Sequence, residues 1–255
     1  MQQSDFGSGR AGGFYPRRGL HGQLVDSLGR EIVTGHYAPG ATIDVNAMQA
    51  EREVSKTALR EALRVLAGKG LVEARQKRGT IVRPEASWNL LDPDVLRWQF
   101  GEAGPQMLVA LTEVRAIVEP PAARLAAERR TDADVAALEQ ALEQMVETAE
   151  DPPAHAAADV TFHRVLLAAS GNDLLARIGA VFDAVLRARD ELVHREGRHL
   201  DDFRGPHEAV LAAIRDQDAG RAHDAMRELI AKSQSDTLEV ADPAGSGGAD
   251  GELAA

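Results

Sequence analysis

The chain has 255 residues, a formal net charge of −11 and no cysteine. The lack of cysteine excludes disulfides and thiolate chemistry, and the length is sufficient for two domains. Because no apolar run approaches the roughly 20 residues of a membrane span, and the first residues are polar and glycine-rich, we expect a cytoplasmic protein without a membrane segment.

Both ends of the chain are rich in Gly, Ser, Ala and Asp. Few large apolar residues are available there to offset the entropy lost on ordering. Residues 1–19 and 241–255 are therefore predicted to be disordered tails.

The first predicted helix begins at Leu20, and its apolar residues recur at helical spacing as far as Ile32. The turn Tyr37-Ala38-Pro39-Gly40 follows it, and a short helical segment is predicted from Asp44 to Arg52. A second helix begins after Ser55, a good N-cap, with Leu59, Leu63 and Leu66 on one face. Its other face carries four polar or basic residues: Lys56, Thr57, Arg60 and Arg64.

Two short strands are predicted after this helix, the first at Leu71 to Ala74 and the second at Thr80 to Val82. Lys77 and Arg78 lie at the tip of the hairpin, where they could meet a phosphate backbone. The order helix, turn, short helix, recognition helix and wing predicts a DNA-binding winged helix-turn-helix over residues 20–84. Taken alone, a helix with basic residues outside is more often a solvated surface helix.

The distribution of charge supports a DNA-binding N-terminal part. The segment Arg10 to Arg83 holds 13 Lys plus Arg and seven Asp plus Glu, whereas the whole chain is acidic. A single basic module in an acidic chain indicates that only this module faces nucleic acid.

Residues 85–104, which contain Trp88 and Trp98, are predicted to form a packed linker rather than a free one. Residues 105–240 show helical periodicity and no convincing strand, which predicts an all-α bundle with room for an interior cavity. Pro120-Pro121 is expected to kink or split the first helix of this bundle. Asn172 is expected to cap a later helix.

One group of residues in the bundle could bind a metal ion. Asp159 and His163 are four residues apart and share a helix face, and His207 begins a later helix. A carboxylate with imidazoles is a donor set for a divalent metal, although such a pair is more often an ordinary ion pair.

Two patterns in the chain resemble the GntR family of bacterial regulators. Ser55 to Val82 is similar to the family signature SRxxVREALxxLxxxGLVxxxxxxGxxV, and DVTFHRVLLAASGN with HEAVLAAIRDQDAGRA resembles the effector (FCD) domain of its fatty-acid-regulator-like branch. WNLLDPDVLRW and EVRAIVEPPAARLAA look like repressors of sugar-acid operons. The resemblance covers about residues 20 to 240 and implies a mainly α fold.

The resemblance implies roles for the residues that match it. Lys56, Thr57, Arg60 and Gly79 occupy positions of the family signature. Together with Arg64 from the polar helix face and Lys77 and Arg78 from the hairpin tip, they are the proposed DNA-binding residues. Lys56 and Asn46 depart from the family, which has arginine at both positions. Lysine keeps the charge but lacks the bidentate fork that reads guanine.

For the effector domain, the resemblance implies a divalent metal held by Asp159, His163 and His207, with zinc as the first choice. The position expected for a fourth ligand is Leu229, which cannot bind a metal. His223 lies on the wrong helix face to act as the fourth ligand. His155 either contributes a further ligand or is a surface residue.

Arg115 matches an arginine that the family directs into the effector cavity, where it would bind the acid group of a small carboxylate. Its alternative role is a salt bridge with Glu119. The sequence thus predicts a homodimeric repressor of a sugar-acid operon that binds an inverted repeat of double-stranded operator DNA. Galactonate or gluconate would release the repressor from its operator. One alternative is a different carboxylate effector, and another is that the protein is a metal-dependent enzyme acting on a carboxylate.

Overall fold

The computed structural model describes residues 19–100, 104–179, 181–183 and 203–241. The chain divides between Glu102 and Ala103 into two compact units. The predicted tails lie outside the described residues apart from Gly19 and Ala241.

The first unit begins with three helices and a small sheet. Its elements are α1 (Leu20–Val33), β1 (Thr42–Ile43), α2 (Val45–Arg52), α3 (Lys56–Gly68), β2 (Val72–Arg75) and β3 (Gly79–Val82). Two of the helices begin at side-chain caps, since Asp44 accepts from the backbone of α2 and Ser55 from that of α3. Leu59, Leu63 and Leu66 are buried, as the helical spacing predicts.

The sheet is antiparallel with the order β1-β3-β2. Val72 pairs with Val82 in the predicted hairpin, and Thr42 of β1 pairs with Ile81 on the other side of β3. Strand β1 was missing from the sequence prediction because two residues are too few to show an alternating pattern. At the hairpin tip, Lys77 adopts a left-handed backbone with φ of 65°.

A short 3-10 turn (Glu85–Ser87) and helix α4 (Pro93–Phe100) complete the first unit. Trp88 and Trp98 are both buried in its core. Gly70 allows the approach of the segment before α4, because a Cβ there would lie 2.5 Å from the carbonyl oxygen of Ser87. The ammonium of Lys69 donates to Asp92 at 2.8 Å and to Asp94 at 2.9 Å, which ties the end of α3 to the start of α4.

The second unit is helical throughout its described residues. Its elements are α5 (Gly104–Arg129), α6 (Asp132–Glu147), α7 (Pro152–Ala169), α8 (Arg204–Arg215) and α9 (Ala219–Ala241), with residues 173–179 also helical. Helix α5 packs along α9 and α7, and α6 packs on α7. The sequence also predicts a helix from Asn172 to about Glu196, and most of that prediction falls on residues outside the described part.

Two details of the second unit test the sequence prediction. Helix α5 continues through Pro120-Pro121, so of the two predicted outcomes, a kink or a split, the split is wrong. The buried residues Ala122, Ala123 and Ala126 pack into the core next to the prolines, and this packing outweighs the local loss of backbone hydrogen bonds. The cap at Asn172 is confirmed, because its Oδ1 accepts from the backbone N–H of Leu174 at 3.0 Å.

Candidate nucleic-acid interface and candidate metal centre

A groove of about 730 Å³ lies on the first unit between the recognition helix α3 and the wing. Lys56, Arg60 and Arg64 line it from α3, and Gly79 lines it from β3. The predicted basic face therefore borders a concave surface, which can follow a nucleic-acid backbone. Thr57, Lys77 and Arg78 are exposed but do not line the groove.

Arg75 and Asn46 are polar groove residues that were not among the predicted DNA contacts. Arg75 of β2 lines the groove, and its guanidinium contacts the carboxylate of Glu73 at 2.6 Å. Asn46 lines it from α2 and accepts a hydrogen bond from the Lys56 ammonium at 2.9 Å. Arg75 could have been found from the alternation along β2, whereas the contact of Asn46 with Lys56 depends on how α2 packs against α3.

The second unit contains a buried cluster of charged and imidazole side chains. Asp159 and His163 lie on α7 and His207 on α8, and each can offer one ligand atom within 4.8 Å of the others. The distance from Asp159 Oδ1 to His207 Nε2 is 3.1 Å, and from Asp159 Oδ1 to His163 Nε2 it is 3.6 Å. All three residues are at most 5% exposed. The structure thus brings together the three predicted ligands.

The tautomer of His207 favours a cation at this point. Its Nδ1 lies 2.7 Å from the carbonyl oxygen of Phe203, which can only accept, so Nδ1 carries a proton. In the neutral ring Nε2 then presents a lone pair toward the Asp159 carboxylate, with no hydrogen bond between them. A metal ion or a second ring proton supplies the missing positive charge, so the donor set fits a divalent metal.

Arg115 and Glu119 on α5 extend the cluster. Arg115 Nε donates to Glu119 at 2.6 Å, so the salt bridge given as the alternative role of Arg115 is present, and its Nη2 lies 3.1 Å from His163 Nε2. Glu119 also contacts His163 Nδ1 at 2.6 Å and is fully buried. Sequence reasoning named Glu119 only as a salt-bridge partner and missed its contact with a candidate metal ligand.

The charges in the cluster shift two pKa values. Burial raises the pKa of Glu119, but the charges of Arg115 and His163 outweigh burial and bring it to about 2. Burial lowers the pKa of His163, yet the carboxylates of Glu119 and Asp159 raise it above its ordinary value. The positive charge of Arg115 acts in the opposite direction, because it disfavours a second positive charge on His163 and so lowers the pKa of His163. Arg115 Nη2 can donate to His163 Nε2 when that nitrogen carries no proton. A metal at His163 Nε2 would replace this hydrogen bond.

The other histidines considered as ligands lie outside the cluster. His155 is buried and not a surface residue; its Nδ1 lies 3.0 Å from the Met145 carbonyl oxygen. His223 is partly exposed and contacts Asp224. Leu229 is buried in the hydrophobic core of the second unit.

Two family models match the chain. The model described as bacterial regulatory proteins, gntR family, matches residues 20–82, and the FCD domain matches residues 110–232. The chain belongs to the GntR family. Members of this family are DNA-binding transcriptional regulators, so the metal-dependent enzyme considered from the sequence is set aside.

Relatives of this GntR chain align with most of its length. The galactonate operon transcriptional repressor of Escherichia coli is 34% identical over 86% of this chain and 96% of the relative. The transcriptional repressor NanR of Klebsiella aerogenes is 30% identical over 87% of this chain and 86% of the relative. The solved structure of Lar, which controls the Listeria monocytogenes agr system, matches with a TM-score of 0.62 over 88% of this chain and 99% of Lar. At 16% identity, Lar supports the fold alone.

None of the helices in the described residues is both long enough and apolar enough to span a bilayer.

Proposed function

We propose that this GntR-family regulator represses a sugar-acid catabolic operon and leaves its operator when a small carboxylate such as galactonate or gluconate binds. The similarity to the galactonate operon repressor carries this proposal, since it extends over 96% of that relative. The buried cluster in the second unit supports it, because an arginine beside candidate metal ligands suits an anionic ligand. A regulator that meets chromosomal DNA works in the cytoplasm, and we include that location in the proposal.

In this proposal α3 enters the major groove of operator DNA and the wing contacts the flanking backbone. Side chains on α3 meet bases and phosphates: Lys56, Thr57, Arg60 and Arg64. Lys77 and Arg78 at the hairpin tip add phosphate contacts, and Gly79 lets the wing backbone approach the duplex. The exposure of these side chains and the shape of the groove support this assignment.

We also propose that the protein is a homodimer on an inverted repeat, because a twofold protein matches a palindromic site. An apolar row on α5 supports a contact between two copies. Val114 and Ile117 are 42% and 73% exposed, and Ala110 and Pro121 continue the same exposed helix face. Large apolar side chains in one exposed row mark an interaction surface.

Effector binding is assigned to Arg115 and to a divalent ion held by Asp159, His163 and His207. Zinc is the first choice because imidazole and carboxylate ligands suit it, and three protein ligands leave a coordination position open to a carboxylate. The contacts of Arg115 with Glu119 and His163 use two of the five N–H groups of a guanidinium, so others remain for the effector. Release of DNA requires that the acid binds the two states of the protein unequally.

Fluorescence anisotropy of purified protein on duplex DNA from its own promoter region tests the proposal, with galactonate, gluconate and lactate added at fixed salt. We expect tight binding that one sugar acid relieves and lactate does not. Relief by lactate, a dicarboxylate or a fatty acid instead would identify a different effector class. A wild-type protein that binds promoter and scrambled duplexes equally would contradict the repressor function.

A matched pair of variants on α5 tests the role of Arg115. Arg115→Lys keeps the charge beside Glu119 but loses the fork that pairs with a carboxylate, so DNA binding should persist while the response to the acid falls. Arg124→Lys is the control, because Arg124 lies on the same helix and its side chain is 58% exposed. An equal response in both variants would remove Arg115 from the effector site.

A further inference from the structure

Asn46 and Lys56 form a polar pair at the edge of the basic groove. The Lys56 ammonium donates a hydrogen bond to Asn46 Oδ1 at 2.9 Å, and both residues line the groove. Each residue lies in the first turn of its helix, Asn46 in α2 and Lys56 in α3. The pair therefore joins two helix N-termini that face the same concave surface.

The stability of α3 does not explain a lysine at this position. Lys56 is the first residue of the helix, where the positive end of the helix dipole disfavours a cation and favours an acidic residue. Its side chain is exposed, and its hydrogen-bond partner Asn46 is neutral. A positive charge at this exposed position is therefore suited to a hydrogen-bond acceptor or an anion outside the chain.

The backbone of Asn46 is held in place by contacts of α2. Its backbone N–H donates to the carboxylate of Asp44 at 2.9 Å, and the next turn of α2 is anchored by Met48, which is buried in the core. A lysine stem is flexible and its ammonium rotates freely, so one fixed hydrogen bond gives the group a direction. One of three ammonium protons is used and two remain, which matches the O6 and N7 acceptors of a guanine in the major groove.

We propose that Asn46 is a positioning residue for sequence recognition, which directs the Lys56 ammonium toward the two acceptors of one guanine. The operator base pair at this point is then read by the Asn46–Lys56 pair and not by Lys56 alone. This inference rests on the proposed DNA-binding function and specifies how one part of the groove selects sequence.

The test uses the full-length protein and a duplex selected from a random-sequence library. Anisotropy titrations compare the selected duplex with duplexes carrying each other base pair at each position. Lys56→Ala should lower discrimination about tenfold or more at one G·C pair, and Asn46→Ala should lower it about three- to tenfold at the same pair. The double variant should lose no more discrimination than Lys56→Ala, because the two side chains act as one unit.

Three controls separate positioning from a general loss of binding. Asn46→Ala removes no charge, so its salt dependence should equal that of the wild type. Asn46→Asp keeps the acceptor for Lys56, so base preference should persist while every duplex binds more weakly. Gln49→Ala removes an amide from α2 that does not line the groove and should behave as the wild type.

Wild-type base preference in Asn46→Ala would overturn the inference and leave the DNA-binding function intact. A uniform loss for all duplexes in Lys56→Ala, with a salt slope smaller by about one, would also overturn it, because Lys56 would then contact a phosphate. A wild-type protein without any preferred duplex would overturn the proposed function and the inference together.

Discussion

His207 Nε2 faces Asp159 Oδ1 at 3.1 Å, although the two residues lie on different helices and no hydrogen bond joins them. This arrangement favours a positive charge at His207 Nε2, which either a second ring proton or a divalent metal held together with His163 supplies. We expect zinc to bind with a stoichiometry of one per chain, measured by calorimetry and by metal analysis after dialysis.

Asp159→Asn and His207→Ala should each weaken zinc binding about tenfold or more, because each removes one of three protein donors. His223→Ala is the control, since this partly exposed histidine lies outside the cluster. Equal zinc binding by all three variants would locate the metal elsewhere in the chain.

Loss of Arg115 should destabilise the second unit strongly. Arg115→Met leaves Glu119, which is fully buried, without its guanidinium and with His163 as its remaining charged contact, and breaking a buried ion pair costs up to about 3–5 kcal/mol. Arg115→Met combined with Glu119→Leu removes both charges and should recover much of that loss. Urea denaturation monitored by circular dichroism measures the three free energies of unfolding. A double variant as unstable as Arg115→Met would show that the pair's electrostatics are not the cause.

The first unit should lose stability in acid through Asp26. Partial burial raises the pKa of this carboxyl, but hydrogen bonds from Trp98 and Arg97 outweigh burial and lower it from 3.8 to about 2. A depressed pKa stabilises the fold above pH 3.8, and the contribution is lost as the pH falls toward 2. After allowance for screening by water, we expect Asp26→Asn to cost about 1 kcal/mol at pH 7.

The two tryptophans of the chain make this measurable by fluorescence-detected denaturation. The difference in stability between the wild type and Asp26→Asn should shrink between pH 4 and pH 2, within the range set by the pKa of Asp26. A difference that is constant across this range would assign the effect to packing.

Trp98 also makes a glycine necessary in α1. A Cβ at Gly29 would lie 2.3 Å from the Trp98 ring, so Gly29→Ala should destabilise the protein by about 1–3 kcal/mol. Gly68→Ala is the matched control, because a Cβ there meets nothing within 4 Å, and it should be neutral or stabilising by up to about 1 kcal/mol. Thermal denaturation of both variants decides between these outcomes, and equal effects would contradict the packing of Trp98 on α1.

The sequence predicted those elements whose causes are local. Ser55, the spacing of Leu59, Leu63 and Leu66, and the hairpin residues sufficed for α3 and the wing, because caps and periodicity act over a few residues. Strand β1 was not predictable, since its pairing with β3 joins residues about 40 positions apart. The continuation of α5 through Pro120-Pro121 likewise depends on tertiary packing.

The candidate metal centre was predictable only in part. Asp159 and His163 share a face by their spacing, but the proximity of His207 could not be derived from the sequence, because no local pattern links residues on α7 and α8. His207 was a candidate third ligand that the family resemblance then supported. Glu119 was missed as a member of the cluster, since its contact with His163 depends on the packing of α5 against α7.

The ion pairs of Lys69 with Asp92 and Asp94 limit where this protein can be divided into fragments. A fragment that stops after the wing at Arg83 would lose Asp92 and Asp94, leave a nearly buried ammonium without its counter-ions, and open the core that Trp88 and Trp98 fill. A fragment that runs to Glu102 retains all of these contacts. Chimeric regulators that exchange the second unit of this protein should therefore be joined after α4. Residues 85–100 look like a linker in the sequence but pack as part of the DNA-binding unit.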